Sequence, residues 1–486
     1  MKNFTKTFYK KQMVNILKHN FLLTLTLVAS VILLALMFVI ENKPFTGILF
    51  SFLAFLWVLF FYIKHRDKIL GKIIILGFFL RAGLAYFQRF IAPLPDSTAD
   101  AIGFERKAWE AAKAWTGGVE SASLTGAYYY SRVIAFIYYF FERVPLAAQF
   151  LNVFLGTAVI FIVYKTALVL FENRKTAQIA GLITAIFPTF NLYSAILMRE
   201  TIMVFFFSLS FLFFSFWLKK EGLRLICLSV AAIFISSIFH GAFFLIGLIY
   251  LFIFCFYYPR KNEWLLFKKQ FFIGIALTII YSFLFFNFFH SKIPHFPSIA
   301  YQKMENVIVS ISSLEKLEET GIVPAELRES IIVPVKPVEL AKVIDKAATK
   351  RARGRAAYLE DLSANNWFDI LWQTPIRIVY FYCAPFIWSI KAPLDLLGLA
   401  DVLLYLFLFF FFFKSLMKIR KQNKALFFAL LLILIVFSVT FAWGTSNYGT
   451  SLRHRQKIVF LLILISSYSL SAINWKKFLP KFQCEK

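Results

Sequence analysis

The chain has 486 residues, 60% of them hydrophobic and 16% charged, with a mean hydropathy of +0.71 and a formal net charge of +27. A soluble domain is about half apolar and about a quarter charged, so the composition excludes one. It also excludes a β-barrel, because the apolar runs approach twenty residues rather than the alternating segments of about ten that a barrel needs. The positive charge does not point to nucleic acid, since Lys and Arg sit in short turns between apolar runs, as cytoplasmic retention of cationic loops produces.

In chain order, residues 1–20 carry Lys2, Lys6, Lys10, Lys11 and Lys18 with no acid, which predicts a cytoplasmic start. The apolar run that follows exceeds a signal-peptide core of about 7–15 residues and precedes no small-residue cleavage site, so it is expected to be a retained span. Spans are predicted at about 21–40, 46–63 and 72–91, separated by an outer turn at Glu41–Pro44 and a basic inner turn from Lys64 to Lys72. An outer loop over 92–146 carries Trp109, Trp115 and the tyrosines Tyr128, Tyr129, Tyr130, Tyr138 and Tyr139, which suits helices lying at the membrane interface.

Further spans are predicted at about 147–171, 176–190 and 201–218, then two joined at His240, then 270–289. A second long outer segment, about 290–370, has five prolines and a basic stretch, Lys350 to Arg355, read as a solvated or headgroup-facing surface. Pro375, Arg377, Pro385 and Trp388 interrupt 371–391, which predicts an interfacial or re-entrant helix there. Spans at about 396–413, 425–443 and 457–473 precede a basic tail. The expectation is an all-α polytopic membrane protein of about twelve spans with both termini inside and two long outer loops. It divides into two N-terminal spans (1–71), a core (72–289), an outer-face region (290–395) and C-terminal spans (396–486). Cys227, Cys255, Cys383 and Cys484 have neither metal nor disulfide spacing and are expected to be buried small hydrophobes. The 63 phenylalanines are read as lipid-facing bulk.

Four polar clusters fall on the predicted outer side: Asp96 and Asp100, Arg199 and Glu200, His240, and the run Arg453, His454, Arg455. Ionisable side chains at membrane depth are costly and face a cavity or a partner. A carboxylate can take a proton from an attacking hydroxyl, and Arg holds phosphate through a bidentate fork. Plainer roles compete: Asp96 or Asp100 as a helix N-cap, Arg199 and Glu200 as a pair at a span end, His240 as a turn residue, and the Arg453–Arg455 run as headgroup anchors.

Phe78-Phe79-Leu80-Arg81, then Asp100-Ala101-Ile102-Gly103-Phe104 followed by Ala108, Gly126-Ala127-Tyr128-Tyr129, Gln149-Phe150-Leu151-Asn152, and Phe187-Pro188 with Ser194 and Arg199-Glu200 together resemble the GT-C superfamily of polyprenyl-phosphate-dependent membrane glycosyltransferases. The resemblance covers about 72–260, and the superfamily includes the protein mannosyltransferase and aminoarabinose transferase branch. Pro385-Phe386-Ile387-Trp388 and Gly449 to Arg455 look more like stretches of bacterial surface-polysaccharide polymerases. The GT-C resemblance implies that the loop aspartate, here Asp100 with Asp96 as a close second, is the general base toward the acceptor.

The expected function is sugar transfer from a polyprenyl phosphate or diphosphate to a glycan, lipid or protein acceptor, on the outer face of the cytoplasmic membrane. Arg199, Arg453, His454, Arg455 and His240 are the candidate phosphate-binding residues, and Glu200 orients Arg199 or the acceptor. The segment 290–370 would cover the site. No cofactor is required; a divalent metal on the paired acids is compatible with the residues. The alternatives are an O-antigen-like polymerase and a lipid-linked-oligosaccharide flippase or transporter. A flippase would place its essential charges near the bilayer midplane rather than at span ends.

Overall fold

The structure, a computed structural model, describes residues 2–473 apart from 41, 66, 119–123, 125–127, 258–263 and 290–355. The basic run Lys350 to Arg355, most of the expected cover segment, Gly126, Ala127, Cys484 and the basic tail lie outside the described residues. Those described form sixteen α-helices and no strand, with one isolated bridge between Ala357 and Asn447.

Among the described residues, eight helices are long and apolar enough to cross a membrane. They fall within α1 (Lys2–Val39), α2 (Lys43–Lys64), α3 (Lys68–Phe90), α6 (Pro145–Phe171), α9 (Glu200–Lys220), α12 (Trp264–Phe289), α14 (Pro393–Gln422) and α15 (Lys424–Trp443). The pair α10 (Leu223–Phe239) and α11 (Phe244–Phe256) is apolar but shorter, joined by a 3-10 turn at Gly241–Phe243. Asn or Asp begins several of these helices by accepting backbone N–H groups: Asn42 for α2, Asp67 for α3 and Asn423 for α15.

Three expectations change. The span expected at 176–190 is broken into α7 (Arg174–Ile186) and α8 (Pro188–Ala195), because Phe187 is held extended before Pro188. Thirteen helical residues rise only about 20 Å, short of a hydrocarbon core of about 30 Å. Second, Pro375 does not interrupt its segment. It lies within α13 (Trp367–Cys383), on an exposed face where the carbonyl it leaves free can be solvated, and the helix ends before Pro385 instead. Third, Tyr130 and Tyr138 are buried rather than interfacial. They share the inner face of α5 (Tyr129–Phe141) with Ile134 at i, i+4 spacing, while Tyr128 and Tyr139 stay exposed.

The helix that organises the bundle is α16 (Tyr448–Leu470). It begins well before the expected span at 457, and every residue from His454 to Ser467 is buried. It packs against α14, α7, α9, α6 and α13. A helix enclosed on all sides normally has no polar face, yet this one carries Arg453, His454, Arg455 and Lys457 in its first half.

The two ends of the bundle differ. At one end Arg174 pairs with Asp67 at 2.9 Å and Lys219 with Glu172 at 2.8 Å, and this end carries the basic turns. The other end collects the C-terminus of α3, the start of α4 (Ala99–Thr116), the α8–α9 connection, the α10–α11 turn and the first turns of α16.

Candidate active site

The start of α4 shows why Asp96 and Asp100 point where they do. Neither is the N-cap. Thr98 occupies that position without a side-chain cap bond, and Asp100 lies in the first helical turn. Asp96 precedes the helix in a left-handed backbone conformation (φ 59°), which turns its carboxyl inward. Its Oδ2 accepts a hydrogen bond from the hydroxyl of buried Tyr193 at 2.6 Å. Although Asp96 is exposed as a residue, its carboxyl sits among protein groups, and that desolvation raises its pKa; the Tyr193 bond and the Arg453 charge oppose the rise.

Arg453 joins the clusters. Its Nη1 donates to Asp100 Oδ2 at 2.5 Å, and its Nε lies 3.0 Å from Glu200 Oε1. The two contacts differ in kind. The Asp100 side chain is 56% exposed, whereas Glu200 is fully buried, so the first is open to solvent screening and the second is not. Neither Glu200 oxygen has a hydrogen bond of good geometry, so the contact to Arg453 is ionic. Buried Lys457, one turn along α16 from Arg453, adds a second cation 3.8 Å from Glu200 Oε1.

Lys457 Nζ also lies 2.6 Å from His454 Nδ1. A lysine ammonium has no acceptor capacity, so this contact makes Nδ1 the acceptor and leaves the proton on Nε2. The His454 ring lies 5.7 Å from that of His240, and His240 Nδ1 accepts from the Ala242 N–H at the head of the 3-10 turn. Arg199, at the N-cap position of α9, donates through Nη1 to the Phe239 carbonyl at 2.6 Å, satisfying the C-terminal end of α10. Asn152 on α6 fixes the α8–α9 connection by donating to the Ile196 and Met198 carbonyls at 2.8 and 3.0 Å.

Of the eight residues singled out from sequence, Asp96, Asp100, Glu200, Arg453, His454, His240 and Arg199 therefore gather at one end of the bundle. Arg455 does not. Two residues along α16 is about 200° around the helix, and Arg455 faces the other way. It is fully buried, donates to the Tyr382 and Ala384 carbonyls, and lies 3.3 Å from the carboxylate of buried Asp401. It anchors the end of α13 to α14 rather than meeting a phosphate. Glu200 likewise pairs with Arg453 and Lys457 rather than with Arg199.

Sequence reasoning missed Lys457, Tyr193 and the part played by Asn152. Lys457 had one usable signal, its i+4 spacing from Arg453; Tyr193 had none. Among the described residues no group of three His, Cys, Asp or Glu side chains could hold a metal ion. Between Asp100 and Glu200 the positive charge is the Arg453 guanidinium.

No family model matches the chain, and no curated protein matches it. Among solved structures it is similar to the apo form of an oligosaccharyltransferase from Archaeoglobus fulgidus, at 13% identity and a TM-score of 0.40. The match covers 83% of this chain and 51% of that one, so the chain spans about half the length of that protein. The superposition is weak, and the case for a function rests on the residues of the site.

Proposed function

We propose that the chain is a membrane glycosyltransferase of GT-C type, moving a sugar from a polyprenyl phosphate or diphosphate carrier to an acceptor hydroxyl. The observation that carries the reading is Arg453, held between one exposed carboxylate, Asp100, and one buried carboxylate, Glu200.

In this reading the buried pair is permanent and the exposed one is exchangeable. Glu200 keeps Arg453 in place from behind. An arriving phosphate competes with Asp100 for the front of the guanidinium, which offers five donors in a planar fork. Binding of the donor then frees the Asp100 carboxylate, which takes the proton from the acceptor as it attacks the anomeric carbon. The carbon–oxygen bond to the carrier breaks, and its electron pair leaves on a phosphate oxygen already facing Arg453, with Lys457 and Arg199 adding positive charge nearby. In this reading His454, protonated on Nε2, donates to that oxygen. Asp96, held by Tyr193, sets the backbone from which α4 starts and so aims Asp100.

The basic turns lie at the opposite end of the bundle, which supports an outer-face site by the charge rule. The gathering of charges at one end, rather than midway along the spans, favours an enzyme over a transporter. The test is turnover by the purified chain in proteoliposomes, supplied with a panel of polyprenyl-phosphate and polyprenyl-diphosphate sugars and scored for sugar leaving the carrier. Release from at least one donor is expected. Failure across the panel, by protein that is folded and correctly inserted, overturns the reading.

A further inference from the structure

A polar cavity of about 340 Å³ lies beside this site. Its walls include Gln88, Ser97, Ala101, Glu105, Arg143 and Gln149. Two of its lining residues are neighbours in the chain of the carboxylate cluster. Ser97 follows Asp96, and Leu197, which also lines the cavity, lies in the connection that leads to Glu200. Ala101 and Glu105 are on the face of α4 turned away from Asp100.

Two residues of this lining carry a buried side-chain oxygen with no hydrogen-bond partner: Gln149 Oε1 and Ser97 Oγ, on residues 2% and 6% exposed. Gln149 cannot be relieved by turning its amide over. Its Nε2 already donates to Gln88 Oε1 at 2.5 Å and to the Ala195 carbonyl at 3.1 Å, and exchanging the atoms would set oxygen against two acceptors. Buried amides without partners are costly, and a ligand that donates to Gln149 Oε1 removes the cost. Opposite them Glu105 is held by Arg143 through paired bonds of 2.9 and 2.8 Å and by the Tyr138 hydroxyl at 3.2 Å.

The cavity therefore mixes acceptors (Gln149 Oε1, Glu105) with donors (Ser97 hydroxyl, the Arg143 guanidinium). An anion would want donors alone. Sugar hydroxyls both donate and accept, and match an interleaved lining. We propose that this cavity is a saccharide subsite, which seats a neutral sugar ring of the acceptor or of the carrier-linked glycan next to the reacting centre. The proposal rests on the glycosyltransferase reading and names where its glycan binds.

The experiment is saturation-transfer NMR on the full chain in nanodiscs, with methyl glycosides of hexoses, N-acetylhexosamines, pentoses and 6-deoxyhexoses as probes. At least one glycoside should bind the wild-type chain. Ala101→Leu, which fills the cavity from a helical position, and Gln149→Leu, which removes the acceptor, should each weaken that binding about tenfold or more. Ala101→Leu decides alone if Gln149→Leu fails to fold. No binding by any glycoside, binding unchanged in Ala101→Leu, or displacement of the glycoside by inorganic phosphate overturns the subsite. The result is separable from the catalytic reading: glycoside binding without carrier turnover removes the latter and keeps the cavity's assignment, and turnover without glycoside binding does the reverse.

Discussion

Arg453 on α16 reaches back 353 residues to the carboxylate of Asp100 on α4, and the same guanidinium lies against buried Glu200. One side chain thus joins an exposed acid to an enclosed one, and the two acids should respond differently to removal.

Glu200→Gln takes a carboxylate from between Arg453 and Lys457 and leaves two cations close together in the protein interior. Breaking a buried pair by removing one partner costs about 3–5 kcal/mol. Asp100→Asn loses a contact that is half open to solvent, worth about 1 kcal/mol at most. Thermal unfolding of both variants in the same detergent should show a large loss for the first and a small one for the second. Equal losses would mean that the two contacts are equivalent.

Arg453→Lys keeps the charge and loses the fork. A lysine ammonium is a point charge that cannot hold Glu200 and present paired donors to a phosphate together. Donor turnover should fall about 10²-fold, with the apparent KM for the carrier raised, while expression and unfolding stay close to wild type. Full activity in this variant would assign Arg453 a purely electrostatic role.

Gly156 on α6 lies against Ser194 of α8 and the Arg81 guanidinium, and a Cβ there would overlap Ser194. Gly156→Ala should push α8 outward and cost about 1–3 kcal/mol. The displacement passes along the α8–α9 connection to Glu200, so turnover should fall further than stability alone explains. Ser194→Gly, which opens the space, should restore both when combined with it.

At the opposite end, the hydrogen bond and charge of Arg174 hold the Asp67 carboxyl well below the usual carboxylate range, aided by the Tyr164 hydroxyl. A carboxylate whose folded pKa is depressed adds stability that is complete above its unfolded pKa, about 3.9, and that is lost as pH falls below it. Asp67→Asn should flatten the acid side of the stability profile. An unchanged profile below about pH 4 would show that the Asp67–Arg174 link does not contribute.

The helices were legible because membrane spans advertise themselves: runs of about twenty apolar residues admit few other structures. Local signals were weaker guides: Pro188 broke a predicted span, and Thr98 rather than Asp96 or Asp100 took the N-cap position. Counting spans predicted one side for Asp100, Glu200 and Arg453, and the three side chains meet at one end of the bundle. Which way each side chain points did not follow from that count. Arg453 and Arg455 look interchangeable in sequence, yet about 200° of helical rotation separates an ion pair with Glu200 from a buried anchor on Asp401. Lys457 was hidden because it opens an apolar run and reads as the boundary of a span. The Tyr193 bond to Asp96 depends on a break at Pro188 and a left-handed residue at 96, and no local pattern links the two.

The central claim is that Asp100 is the proton acceptor and that the donor phosphate releases it from Arg453. Sugar transfer from a polyprenyl-linked donor by Asp100→Asn, in proteoliposomes with matched amounts of folded protein, tests it most directly. The account predicts a fall of at least about 10²-fold in turnover with donor binding retained. Transfer at the wild-type rate by Asp100→Asn would contradict it.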